Sequence, residues 1–256
     1  MSAANIAQPE GFIALPGATQ PHYGDATVMF RFKDILLLAM FDISTSRPLP
    51  KDLLLMTFKT SIDDAVARSE LTTTPGSLLN TLQDFAGMLN EQLSGGCVSI
   101  TVAFIDTHRV WGYCAGDVRM GYVRAGTLNW LSPVHTAANV FGPFTDELKS
   151  SPSRHILTRC LKLHRTFDPV YFQFDLRDDG QLVCATDGFW CDSHWGNAQS
   201  LISLPSQRPI DDCTCLWFNP RMLLAKTEPS LAHNELQFFT QYDHLEIRAE
   251  YGAITP

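Results

Sequence analysis

Apolar residues recur along the chain in short runs rich in β-branched and aromatic types, each stopped by turn-forming or charged residues. Such runs are Leu36–Asp42 (LLLAMFD), Cys97–Asp106 (CVSITVAFID), Val110–Asp117 (VWGYCAGD), Tyr171–Leu176 (YFQFDL), Gln181–Asp187 (QLVCATD) and Cys213–Phe218 (CTCLWF). Their lengths and boundaries predict strands. Ser99 and Thr101 alternate with larger apolar side chains, as in a sheet with one face on a core. Between Gly76 and Leu93 the period changes: Leu78, Leu79, Leu82, Phe85, Ala86, Leu89 and Leu93 recur at three- and four-residue intervals, and Gly95-Gly96 supply a stop. That spacing predicts an amphipathic helix. Weaker helical patterns run from Ser61 to Glu70 and from Arg154 to His164 (RHILTRCLKLH).

The order is strand, helices, several strands, a short helix, then strands. It predicts an α+β layering with antiparallel hairpins, in place of the regular alternation of a parallel sheet. The turn-rich RDDGQ between Phe174 and Leu182 reads as a hairpin connection. No internal repeat or low-complexity linker divides the chain, so residues 1–256 are read as a single domain. Its core covers about 17–218, and 219–256 form an extension whose apolar LQFFTQY packs on the domain or meets a partner.

With 256 residues, 45% hydrophobic and 18% charged, the chain has material for a sizeable core. A net charge of −8 and the absence of any Lys/Arg-rich run argue against nucleic acid as a partner. No stretch reaches the ~20 apolar residues needed to cross a bilayer. The start, MSAANIAQPEGFIALPG, lacks the basic and then apolar segments of a signal peptide. Seven cysteines, mostly within apolar runs (Cys97, Cys184, Cys215), fit a reducing compartment, so a cytoplasmic location without a membrane partner is expected. Cys213 and Cys215 are too close for a zinc pair and are read as strand residues on one face.

Charge enters the picture at the strand ends. Asp42 closes LLLAMF, Asp117 follows YCAG, Asp187 closes LVCAT, Asp211 precedes CTCLWF, and Asp25 opens the run after HYG. Any one of them is an ordinary strand-end residue, since aspartate bonds nearby backbone groups. As a set they imply more. If the strands pack together, the carboxylates converge and repel unless cations sit among them, and oxygen-only donor sets select magnesium or manganese over zinc.

Several of these segments resemble the metal-dependent protein phosphatases, the PPM family of protein phosphatase 2C type. CAGDVRMGYVRAGTLNWLSPVHT is similar to the family's Gly-Asp-x-Arg strand and following hairpin, and HILTRCL to its Ile-Thr-Arg-Ala-Leu segment. LVCATDGFWC is similar to Leu-x-Ser-Asp-Gly-Leu-Trp-Asp, DDCTCLWF to the late Asp-Asn-x-Ser/Thr strand, and LLLAMFD to the strand ending in Asp-Gly-x-Gly. Order and rough spacing hold from about Gly17 to Phe218.

The resemblance implies a β-sandwich of antiparallel sheets flanked by helices in four layers, αββα, with two Mg²⁺ or Mn²⁺ ions. Asp42 would bridge both, the carbonyl of Ile43 would reach the first, and Asp187 and Asp211 would hold the second. Asp25 matches a supporting acidic position and Asp117 one linked to a third ion. Asp42, Asp187 and Asp211 would then be the catalytic set. The implied activity is hydrolysis of phosphoserine and phosphothreonine by activated water, on protein substrates of an opposing Ser/Thr kinase. Arg119 is read as a strand anchor through a salt bridge, and Trp190 as core.

The sequence departs from the family at several points. Five residues before Asp25, where the family clamps phosphate with arginine, stands Gln20, which donates hydrogen bonds but carries no charge. The glycines after the first aspartate are replaced by Ile43-Ser44-Thr45-Ser46. His22 is read either as a substitute phosphate contact or as a loop histidine; Arg31 and Lys33 are further cations, each readable as a solvated strand position. Only 24 positions separate Asp187 from Asp211, and Asp212 stands where the family has asparagine, either adding charge to the site or facing solvent. These changes keep a second reading open: a pseudophosphatase with the same fold, acting as a binding or regulatory module.

Overall fold

A computed structural model describes residues 11–15, 17, 23–32, 34–44, 49–92, 96–177, 180–191, 210–226 and 239–240. In chain order the elements are β1 (Gly11–Leu15), β2 (Asp25–Phe32), β3 (Ile35–Ile43), α1 (Lys51–Ala67), α2 (Pro75–Gln92), β4 (Cys97–Ile105), β5 (Arg109–Ala115), β6 (Arg119–Arg124) and β7 (Thr127–Trp130). Single-turn 3-10 helices follow at Ala137–Asn139, Asp146–Ser150 and Pro152–His155. Then come β8 (Leu161–Lys162), β9 (Val170–Asp175), β10 (Gln181–Ala185), α3 (Asp187–Trp190), β11 (Cys213–Phe218), α4 (Pro220–Lys226) and β12 (Phe239–Thr240).

The strands form two antiparallel sheets, ordered β12-β2-β3-β4-β5-β9, with β8 on β4, and β1-β11-β10-β6-β7. Because successive side chains of a strand point to opposite faces, each strand of the first sheet serves two cores. Leu37, Ala39 and Phe41 of β3 pack under α1 and α2, with Phe58 and Phe85. Phe41, Phe58 and Phe85 form an aromatic triangle whose Phe58 contacts are 5.2 Å between centroids, edge-to-face pairs that add about 0.5–1.5 kcal/mol each. The alternate residues Leu36, Leu38 and Met40 face the second sheet, meeting Met120, Leu182, Cys184, Leu216 and Phe218. On that sheet's outer face Val183, Ala185, Cys213 and Cys215 gather with Phe189 and Trp190, so the two cysteines do share one face.

The expected strands all form, and the helix expected from Gly76 to Leu93 is α2. Three details differ. The pattern at Ser61–Glu70 belongs to α1, which starts ten residues earlier at Lys51 and ends at Ala67. Arg154–His164 is not a helix: after one 3-10 turn the chain extends, Thr136 bridges Leu157, and Leu161 and Leu163 are buried at a two-residue interval. Nor does RDDGQ close a hairpin, because β9 pairs with β5 in one sheet and β10 with β6 and β11 in the other. The connection crosses the sandwich, and the Tyr122 hydroxyl fastens it by bonding the Arg177 carbonyl.

Among the described residues, the outer face of the second sheet is covered by α3 and by side chains such as Val134 and Phe144, without a long helix pair. The described part of the extension packs on the sandwich: Leu223 and Leu224 of α4 enter the inter-sheet core, and β12 adds to the edge of β2. No helix among the described residues is long and apolar enough to cross a membrane.

Candidate metal centre

The face of β2, β3 and β4 that lines the inter-sheet core turns polar at one end. On β3 the inward series Leu36, Leu38, Met40 ends in Asp42. Register then places Asp25 directly opposite on β2 and Ser99 on β4. Carboxylates facing each other across a ladder repel. Asp25 is buried, and the second sheet reaches across to hold it: Thr186 Oγ1 and Thr214 Oγ1 donate to its Oδ2 at 2.8 and 2.7 Å. Tyr23 donates in turn to Thr214 Oγ1. These threonines continue the inward series Leu182, Cys184 and Phe218, Leu216, one from each strand.

Asp117 sits where the chain leaves β5 for β6 and so passes between sheets. Gly116 makes that turn at φ +113°, with a Cβ there falling 2.1 Å from Ser99 Oγ, so the position requires glycine. Ser99 donates to Asp117 Oδ1, the Asp117 N–H donates back to Ser99 Oγ at 3.1 Å, and Trp190 Nε1 donates to the Asp117 carbonyl at 2.8 Å. His135 receives the Gly116 N–H on Nδ1 at 3.3 Å; burial lowers its pKa, which favours the neutral ring this bond needs.

Asp187 opens α3, and the glycine behind it has a steric cause. A Cβ on Gly188 would lie 2.0 Å from the Asp212 carbonyl, so the backbone entering β11 packs against it. This close approach also places Asp211 beside Asp187, which feels its charge. Arg154 Nη1 meets Asp187 Oδ2 at 3.1 Å. Asp212 does not face solvent: it is buried and its two oxygens receive the N–H groups of Gly17 (2.7 Å) and Gly24 (2.6 Å), tying the loop before β2 to the start of β11.

The electrostatics bind the set together. Desolvation, then the charges of Asp25, Asp187, Asp117 and Asp211, push Asp42 well above the ordinary carboxylate range. Burial raises Asp25 likewise, against the opposing hydrogen bond from Thr214. Asp117 is pushed up to about 7 by burial and then by Asp187, while Ser99 opposes the shift. Burial and Asp211 raise Asp187, with Arg154 opposing.

All five expected aspartates therefore gather at one end of the sandwich. Among the described residues, no group of three or more His, Cys, Asp or Glu side chains is closed tightly enough to hold an ion as it stands. The donor chemistry nevertheless suits a hard divalent cation. The carboxylates raise one another's pKa, and Asp25 Oδ1 is buried with no hydrogen-bond partner, a costly state for an acceptor.

Ile43 ends β3 without a positive φ, so the replacement of glycine there costs no strain; its main chain pairs opposite Val98. Gln20 and His22 lie outside the described residues, as does Lys33. Arg119 is not anchored as expected: its guanidinium lies between the rings of Trp130 and Trp190, 4.9 Å from each, and burial lowers it to about 10. Thr186, Thr214, Ser99 and Arg154 were not singled out as site residues. The inward parity of the first three was readable from their strands; Arg154 fell in a segment read as helix.

No family model matches the sequence, and no curated protein resembles it closely enough to match. Solved structures do match. The Streptococcus agalactiae serine/threonine phosphatase aligns with a TM-score of 0.61 at 16% identity, covering 81% of this chain and 98% of that one. The serine/threonine phosphatase Stp1 of Staphylococcus aureus aligns at 0.63 and 16% identity over 85% of this chain and 97% of its own. The catalytic domain of the phosphatase PstP, solved with two manganese ions, aligns at 0.53 and 16% identity over 80% and 94%. The two sheets and the helices packed on them thus give this chain the fold of the PPM serine/threonine phosphatases.

Proposed function

We propose that this chain is a metal-dependent serine/threonine phosphatase acting on phosphoprotein substrates of an opposing kinase. The observation that carries the reading is that Asp25, Asp42, Asp117, Asp187 and Asp211, from both sheets, come close enough for all the others to raise the pKa of Asp42, while one buried oxygen of Asp25 is left without a partner. Asp42, Asp187, Asp211 and the Ile43 carbonyl would hold two Mg²⁺ or Mn²⁺ ions, Asp25 would support them, and Asp117 would serve a third. Residues 17–218 would form the catalytic domain, with 219–256 its extension, in the cytoplasm. When bound, such ions make water a competent nucleophile near neutral pH and offset charge on the phosphoryl oxygens. The protein's own part is positional. Thr186 and Thr214 fix Asp25 at one oxygen and leave the other free, and Ser99 orients Asp117.

The purified chain with manganese should hydrolyse a phosphothreonine peptide and p-nitrophenyl phosphate. Outer-shell partners of a metal are worth ~10–100-fold, so Asp187→Asn, which removes a ligand, should cost more than about a hundredfold. Unchanged turnover in that variant would sink the assignment.

Two observations favour the pseudophosphatase reading: Arg154 is already ion-paired with Asp187, and position 20 offers glutamine in place of an arginine. Restoring the charge with Gln20→Arg separates the two. A large gain in turnover marks an impaired natural site; manganese binding without turnover in both forms marks a binding module.

A further inference from the structure

The candidate centre gathers carboxylates, and one stretch at its rim carries the opposite charge. From Leu148 to Phe167 the sequence has no Asp or Glu, in a chain with 27 of them, while Lys149, Arg154, Arg159, Lys162 and Arg165 fall within the same stretch. Three of these cations are already paired: Lys149 with Asp146, Arg154 with Asp187 and Arg159 with Asp168. Lys162 and Arg165 are exposed, and neither has an ion-pair partner among the described residues.

Strand register fixes where the two stand. Lys162 lies opposite Cys97 across β8 and β4, and residues opposite each other in an antiparallel ladder share a face. Ser99 follows on that face two residues along β4, about 7 Å away, and Asp42 lies opposite Ser99. Lys162 therefore stands on the face of the inward series that ends in Asp42, one step beyond its polar end. Leu161 and Leu163 point the other way, into the core under α1 and α2. A turn then brings Arg165 beside Lys162, its N–H donating to the Lys162 carbonyl at 3.2 Å, and Asn90 Oδ1 of α2 holds the turn by receiving the His164 N–H at 2.7 Å. Two like charges held in one turn repel, and the buried leucines need nothing from them, so packing does not account for the pair.

We propose that Lys162 and Arg165 form a docking rim for acidic peptide, selecting phosphoprotein segments with Asp or Glu beside the phosphorylated residue. The proposal rests on the phosphatase reading, which places the phosphoryl group at the carboxylate cluster. The occupant follows from charge and position. The two cations stand at the open edge of the site's own face, so a chain whose phosphoryl group sits among the aspartates passes over them. An extended peptide advances ~3.3 Å per residue, which sets the favoured acids about two to four residues from the phosphorylated one. A bilayer or a nucleic acid is drawn by a larger basic cluster, and the net charge of −8 opposes both. Exposed ion pairs are individually weak, so the two together should give a preference of about tenfold at low salt.

The test uses the full-length protein with manganese and two fluorescein-labelled peptides. Each carries a non-hydrolysable phosphonate analogue of phosphothreonine, flanked on both sides by Glu in one and by Gln in the other, so fluorescence anisotropy reads binding without turnover. The Glu peptide should bind about tenfold tighter. The preference should fall to within about twofold in Lys162→Gln/Arg165→Gln, and likewise in ~1 M salt, and it should survive in Lys162→Arg/Arg165→Lys. No difference between the two peptides on the wild-type protein, whether both bind or neither does, would overturn the proposal. So would an undiminished preference in the glutamine double variant, or tighter binding of phosphatidylserine vesicles than of the Glu peptide. Hydrolysis of p-nitrophenyl phosphate by the wild-type protein is scored separately. Turnover without a Glu preference removes the rim and leaves the phosphatase reading, whereas a Glu preference without turnover does the reverse.

Discussion

The centre of the sandwich and its polar end are built on the same strands, yet they obey opposite rules. At the centre Met29, Leu38 and Ala103 stand side by side in register across β2, β3 and β4, fully buried with nothing unsatisfied. Four residues on, the same inward face carries Asp25, Asp42 and Ser99, where like charges oppose each other and one buried oxygen has no partner. The difference shows where stability comes from. Apolar side chains at the centre hold the register, and the register then forces the carboxylates together at a cost they could not meet alone. A slip of one residue would move Asp42 to the helix-covered face and dissolve both arrangements.

The largest effect should come from exchanging the two chemistries. Leu38→Asp removes packing worth about 2–5 kcal/mol and leaves a carboxylate unpaired in an apolar layer, against a total stability of about 5–15 kcal/mol. Loss of soluble folded protein is the expected outcome, read by circular dichroism. The reverse exchange, Asp42→Leu, should have the opposite sign. It removes a repelled group, so the metal-free protein should gain about 1–4 kcal/mol in urea unfolding while manganese binding is lost. A metal-free Asp42→Leu protein less stable than its parent would show that the cluster carries no strain.

Acidity sharpens the same contrast. Asp25 and Asp42 are raised well above the ordinary range and Asp117 to about 7, so without metal the native state holds protons that the unfolded chain has already released. A raised carboxylate contributes stability below its unfolded pKa and forfeits it as pH rises through the folded one. Protein in EDTA should therefore lose stability between the ordinary carboxylate range and about pH 7, by about 1.4 kcal/mol per pH unit for each group titrating. Saturating manganese should offset the loss, because ligands that bind only the native state stabilise it. A flat profile in EDTA would mean that the carboxylates do not share a field.

The sheets and α2 were legible in the sequence because their periods are clean, and the five aspartates because each stands at the edge of an apolar run. What escaped depended on partners distant along the chain. RDDGQ has the composition of a hairpin turn, but the pairing of β10 with β6 and β11 decides that it crosses between sheets. RHILTRCLKLH has mixed periodicity, and β4 recruits its end as β8. Thr186 and Thr214 look like ordinary strand threonines until the two sheets are stacked and both reach Asp25. Arg119 resembles a salt-bridge residue because the stack needs two indoles: the β6–β7 hairpin brings Trp130 beside it, but Trp190 comes from α3, which nothing local places there.

Thr214→Val tests whether the second sheet positions the first sheet's acid. It keeps the shape of the side chain and deletes one of two hydrogen bonds to Asp25 Oδ2, a bond worth about 1.5–3 kcal/mol when the acceptor is charged. With metal present, manganese affinity should fall ~10–100-fold by calorimetry. In EDTA at acid pH, where Asp25 is protonated, the loss of stability should shrink. Equal losses under both conditions would make Thr214 a packing residue only.

The smallest expected effect lies at Arg119, on the side of the site away from the paired strands. Its guanidinium is held by two ring faces, its Nε is buried without a partner, and burial already disfavours its charge. Arg119→Lys keeps the charge but loses the planar stack, so the cost should be about 1 kcal/mol, within the range of a partly desolvated cation–π contact. The consequence for the site follows the same path: Trp190 loses one of its neighbours while its Nε1 still holds the Asp117 carbonyl. Tryptophan fluorescence should therefore change more than manganese affinity does. If affinity fell as far as in Thr214→Val, the boundary between the packed region and the charged one would have to be drawn beyond Trp190, with the indole counted among the groups that position the carboxylates.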